Sequence, residues 1–207
     1  MSVISRCLLI ALILTGCGRV LEQRVGDDYF PIMKPAAYWI YSNTEGDTMC
    51  MKVEGTTYVG GCEASIVDRF GNLEYWWQND RYTEKHWQHV VIYDGTPYEV
   101  AGKWVPFLRY PLVANDVITG EASNSGEIGG EPYRWQLTWN IKVGECKNMM
   151  TFDDVFTVEY EFVETFSWRN VADTCVYRFT RSYAPNVGII REMVGDDTLR
   201  LIEYSIP

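Results

Sequence analysis

Tyr133-Arg134-Trp135-Gln136-Leu137-Thr138-Trp139-Asn140-Ile141-Lys142-Val143 alternates without a break. One parity carries Tyr133, Trp135, Leu137, Trp139, Ile141 and Val143; the other carries Arg134, Gln136, Thr138, Asn140 and Lys142. Successive side chains of a strand point to opposite faces, so the stretch reads as one long strand with an apolar and a wet side. A wet side belongs to an antiparallel sheet, because parallel sheets are covered on both faces. Working outward, further strands are expected at 155–162, 175–183, 188–194 and 199–205 on one side, and at 38–41, 65–70 and 89–93 on the other. A hairpin turning at 54–57 supplies two more, for roughly ten strands in all. Residues 167–173 are not strand-like and are read as a few residues of helix. The fold expected is all-β, a single domain built on a strongly curved antiparallel sheet or open barrel with little helix.

Net charge is −10, with 18 Lys and Arg against 28 Asp and Glu. That balance argues against nucleic acid, whose binding rests on clustered basic residues, and against adhesion to anionic headgroups. The chain has 207 residues, enough for one sizeable domain and cramped for two.

The N-terminus carries Arg6 and the apolar run Cys7-Leu8-Leu9-Ile10-Ala11-Leu12-Ile13-Leu14, then Thr15-Gly16-Cys17. A basic residue, a short apolar core and small residues at a cut site are the parts of a secretory signal peptide. The run is too short for a spanning helix, which needs about 20 apolar residues. Leu14-Thr15-Gly16-Cys17 resembles the bacterial lipobox. That resemblance implies cleavage between Gly16 and Cys17 and acyl chains, palmitate among them, on Cys17. Gly18, where an Asp would retain such a protein at the inner membrane, implies the outer membrane. The expected organisation is a signal peptide over 1–16, a lipidated N-terminus and tether over 17–28, and an envelope domain over 29–207, in the periplasm or at the cell surface. Acyl chains anchor stably when two or more are present.

With Cys7 and Cys17 set aside, Cys50, Cys62, Cys146 and Cys175 remain. An even number in an exported domain reads as disulfides. A hairpin centred at Thr56 places Cys50 opposite Cys62, within bonding reach; Cys146–Cys175 follows by elimination. No Cys-x-x-Cys occurs and the spacings fit no common zinc finger.

Three short blocks resemble uncharacterised bacterial lipoproteins: Tyr29-Phe30-Pro31-Ile32 with Tyr38-Trp39-Ile40-Tyr41, Phe107-Leu108-Arg109-Tyr110-Pro111-Leu112, and Tyr183-Ala184-Pro185-Asn186-Val187-Gly188. Asn186 stands where a glycine is usual, and Asn tolerates positive φ. The resemblance implies a curved sheet of the kind seen in the LolA/LolB carriers and implies no established activity.

Catalytic patterns are absent: there is no Gly-x-Ser-x-Gly elbow and no calcium loop. His86 and His89 point to opposite faces of a strand and do not share a metal. Glu159 and Glu161 share a face best read as solvated, and Asp196-Asp197 belongs to a turn. No cofactor and no metal is expected, and the reading is non-enzymatic. The unusual resource is aromatic: 14 Tyr, 8 Trp and 8 Phe. Trp76 and Trp77 must face opposite ways, so both cannot fill one core. Either the rings are packing, or some of Trp76, Trp77, Trp87, Trp104, Trp135 and Trp139 form a ligand or partner surface. The function expected is binding of an apolar ligand or an envelope partner by a membrane-tethered domain. A structural or assembly subunit of an outer-membrane complex is the alternative. A carbohydrate-active protein is the third reading, and it needs two carboxylates about 5 or about 6.5–9.5 Å apart beside an exposed Trp.

Overall fold

The computed structural model describes residues 29–207. The leader, Cys17 and the tether expected before them lie outside the described residues. Twelve strands run β1 (Tyr38–Ser42), β2 (Thr48–Val59), β3 (Cys62–Arg69), β4 (Asn72–Gln78), β5 (Tyr82–Tyr93), β6 (Thr96–Arg109), β7 (Val117–Ile128), β8 (Glu131–Met149), β9 (Phe152–Trp168), β10 (Val171–Ala184), β11 (Gly188–Val194) and β12 (Asp197–Ser205). They form one antiparallel sheet in the order β6-β5-β4-β3-β2-β1-β12-β11-β10-β9-β8-β7. Two meanders, β1–β6 and β7–β12, are thus joined through the first and last strands, with Trp39 opposite Tyr204 and Tyr41 opposite Leu201. The sheet curls until β6 lies against β7, nearly closing a barrel whose seam lies at the sheet edges opposite the β1–β12 ladder.

Tight turns explain the meander. Gly60-Gly61, Phe70-Gly71, Asp94-Gly95, Gly129-Gly130 and Arg169-Asn170 each place both residues at positive φ. Two-residue loops of that kind match the right-handed twist of the strands they join. They also correct two expectations. The β2–β3 hairpin turns at Gly60-Gly61, and Gly55 marks a register shift within β2 where a turn was expected. Residues 167–173 are not helical: Trp168 pairs directly with Val171 across the Arg169-Asn170 turn. The strands that were not anticipated are β4, β6 and β7; β7 is rich in Gly, Ser and Glu, and β6 contains Pro97 and Pro106.

The register also separates the cysteines paired on paper. Phe70 N donates to Cys50 O, so Cys50 lies level with the far end of the hairpin, while Cys62 pairs with Val59. Nine residues of strand part them, about 30 Å at the usual rise. Cys146 pairs with Phe156 and Cys175 with Glu164, on either side of β9 and about 26 Å apart by the same rise. Neither Cys50–Cys62 nor Cys146–Cys175 is formed.

Apolar side chains fill most of the interior. On β8, Trp135, Leu137, Ile141 and Val143 are buried and the alternate residues are not, as the alternation predicts. Before β1, Tyr29, Phe30 and Ile32 enter the core; Phe30 meets Trp76 edge-on at 5.3 Å and lies 6.1 Å from Tyr183. Trp39 donates to Val187 O and Tyr41 to Ile189 O, tying β1 to the β10–β11 turn and the start of β11. A second, smaller cluster of Val100, Ile128 and Tyr133 packs with Tyr93 and Trp168. There Arg169 lies over both rings, 4.7 Å from Tyr93 and 4.4 Å from Trp168.

Candidate functional site

Besides the β6–β7 seam, the wall of the barrel parts along two ladders. β4 and β5 pair only from Trp76–Lys85 to Gln78–Thr83, so they diverge beyond Lys85. On the other side β11 pairs with β10 only from Thr180 onward, which leaves residues 171–179 of β10 with a ladder to β9 alone. Between these diverging edges lies a laterally open cleft of about 640 Å³, within the 300–1,000 Å³ range usual for small-molecule sites.

One wall is aromatic. Phe107 stacks on Phe162 at 5.2 Å, Tyr160 on Phe179 at 4.7 Å, and Trp87 lies 5.1 Å from Phe162 and 5.4 Å from Tyr177. The base is charged. Arg69, Glu74, Lys85, Arg181 and Glu192 all project inward, from five different strands. Arg181 Nε donates to Glu192 Oε2 at 2.6 Å, Arg69 bonds the other Glu192 oxygen, and Lys85 Nζ reaches Glu74 Oε1 at 2.7 Å. The Arg181 guanidinium also lies 4.8 Å over Phe179 and 5.6 Å over Phe107. Burial alone would raise the Glu192 carboxyl, yet Arg181 and Arg69 hold it below its ordinary value. At Glu74 burial is likewise outweighed, by Lys85, Arg69 and Arg181. For Lys85 burial prevails over the pull of Glu74 and lowers the ammonium, with Arg181 and Arg69 acting in the same direction.

At the other end of the cleft Glu164 gathers four donors. Oε1 accepts from Trp135 Nε1 at 2.6 Å and Trp87 Nε1 at 3.3 Å, and lies 2.9 Å from His89 Nδ1; Tyr177 OH donates to Oε2 at 3.2 Å. An ionised carboxylate only accepts, so this contact selects the His89 tautomer with a proton on Nδ1. Burial first, then Glu164, pushes the Tyr177 hydroxyl up to about 12.

The six tryptophans do not form one surface. Trp76 and Trp135 are buried core, and Trp87 alone lines the cleft. Trp139 lies across its partner Gly120, where a Cβ would stand 2.4 Å from the ring; only glycine fits there. Trp77 and Trp104 sit on the outer face, 6.4 Å apart, with His86 5.0 Å from Trp104. His89 faces inward and His86 outward, as their spacing required. Glu161 pairs with Arg178 on the outer surface at 2.5 Å, and Asp197 caps its turn by accepting from Thr44 and Thr198 N.

What the sequence reading missed is the charge inside. Its signal was parity: Glu164 stands in the series Phe156, Val158, Tyr160, Phe162, Phe166, and Arg181 in the series Tyr177, Phe179, Tyr183. A charge on the apolar parity of a strand is expensive to bury unless it is paired. It therefore marks a built interior site.

The chain matches none of the known protein-family models and none of the curated proteins with which it was compared. Among solved structures it is similar to a "putative lipoprotein" from Parabacteroides distasonis, at 11% identity and a TM-score of 0.41, over 86% of this chain and 99% of that one.

Proposed function

We propose that this chain is a lipid-anchored binding protein of the bacterial envelope, without catalytic activity, that holds a small ligand in the lateral cleft of its barrel. The cleft carries the reading: it is large enough for a ligand, open to solvent along two strand edges, and offers an aromatic wall beside a charged base. Anchoring is supported by the lipobox pattern ending at Cys17. The acidic surface suits a domain that stays in solution beside a membrane and touches it only through its acyl chains.

Native purification of the acylated protein from its own membrane, with mass spectrometry of what accompanies it, is the test. A small molecule in stoichiometric amount is the expected result. A stoichiometric protein in its place would favour the assembly role. Cys17→Ser is expected to move the domain to the soluble fraction, and retention in the membrane would sink the anchoring argument.

A further inference from the structure

The base of the cleft has more donors than acceptors. Three cations, Arg69, Lys85 and Arg181, share the carboxylates of Glu74 and Glu192. Guanidinium and ammonium groups only donate, and the two carboxylates cannot absorb all their N–H bonds. Arg181 lies deepest: its side chain is 4% exposed, its Nη1 makes no well-formed hydrogen bond, and the Tyr183 hydroxyl beside it is a neutral acceptor that leaves the excess positive charge in place. Glu164 does not restore the balance. It sits six residues along the sheet from Val158, the partner of Arg181, about 20 Å away at the usual rise, and its own donors surround it. A group that completes this base must accept hydrogen bonds and carry negative charge. A group that runs outward from there meets rings: Phe179 beneath Arg181, then Phe107, Trp87 and Tyr177.

We propose that the cleft takes an amphiphile with a single anionic head, carboxylate or phosphate, seated among Arg69, Lys85 and Arg181, with its apolar body along the aromatic wall. This rests on the binding role argued above and specifies its ligand class. The charged base selects the head group, because a buried cation left without its anion is costly and a neutral head cannot relieve it. The rings accept any apolar body of suitable width, since hydrophobic burial is not directional.

Titration calorimetry of the full chain carrying Cys17→Ser, with decanoate, decyl phosphate, decanol and inorganic phosphate as probes below their micellar concentrations, tests this. Decanoate and decyl phosphate are expected to bind at least tenfold more tightly than decanol, with an advantage that shrinks as salt is raised. Lys85→Met and Arg69→Gln should each remove most of that advantage, with circular dichroism of each variant showing that it is folded. Equal affinity for decanol and decanoate would overturn the anionic head and leave the cleft as a binding site. Failure of every probe to bind would overturn both. Inorganic phosphate competing as well as decyl phosphate would overturn the amphiphile in favour of a free oxyanion.

Discussion

Glu164→Leu removes the one acceptor shared by Trp135, Trp87, His89 and Tyr177. Leaving a buried donor unpaired costs about 1–3 kcal/mol. The Trp135 indole is buried and bears that cost in full, whereas His89 keeps a quarter of its side chain exposed and can turn to water. Tyr177 is exposed and bears little. With a fraction more from the part-buried Trp87 indole, Glu164→Leu should destabilise by about 2–4 kcal/mol in all. In a domain of this size that is a fall of roughly 5–15 °C in Tm. Glu164→Gln keeps an oxygen for Trp135 and His89 and loses only the charge, which about halves the strength of such bonds; about 1–2 kcal/mol is expected. Urea denaturation followed by tryptophan fluorescence measures both. If the leucine variant lies within about 0.5 kcal/mol of the parent, the four donors are not held by this carboxylate. If the glutamine variant is as damaging as leucine, charge and not acceptance is what matters.

Acid should weaken the fold. The Glu192 and Glu74 carboxyls titrate below their ordinary value in the folded chain, so the stability they contribute is complete above about pH 4.5 and is lost as pH falls below it; a stability that stayed flat from pH 5 to pH 3 would contradict this. Reductant should leave the denaturation midpoint unchanged, because neither Cys50–Cys62 nor Cys146–Cys175 is formed; a fall worth the 2–4 kcal/mol typical of a disulfide would show that the register is wrong. Gly120→Val should cost about 1–3 kcal/mol by driving a side chain into the Trp139 ring, and that cost should shrink when the same substitution is made in a Trp139→Ala background, as thermal unfolding of the four proteins of the cycle would show.

The eleven-residue alternation from Tyr133 to Val143 foretold β8 residue by residue, because burial of one face forces the period. The β8–β9–β10 neighbourhood followed, since long runs of Val, Tyr and Phe have few other uses. The hairpin through Cys50 and Cys62 was misplaced because Glu54-Gly55 and Gly60-Gly61 are both turn signals, and only pairing with β1 and β3 decides between them. β7 stayed hidden because it holds few apolar residues and borrows its stability from Trp139 and Tyr133 lying over its glycines. The site was less legible than the fold. The tryptophans drew attention because they are large, but most are packing. The charges that build the cleft come from β3, β4, β5, β10 and β11, and no local pattern joins them.

The β1–β12 ladder is the one strand pairing that joins the two meanders, although side chains also meet across the interior. Every other neighbouring pair of strands is linked by a short connection, so each half closes its ladders over small loops, and only β1 and β12 meet across nearly the whole chain. Local pairings close quickly and distant ones slowly, so the halves should acquire order first and zip together last. The crossing between β6 and β7 is held by Arg109 Nε on Asp116 and by Asn115 N on Val143 O, and no β-ladder runs between those two strands. Cutting the chain there would leave two six-stranded fragments with complementary edges, a natural place to split the protein into a pair that reassembles.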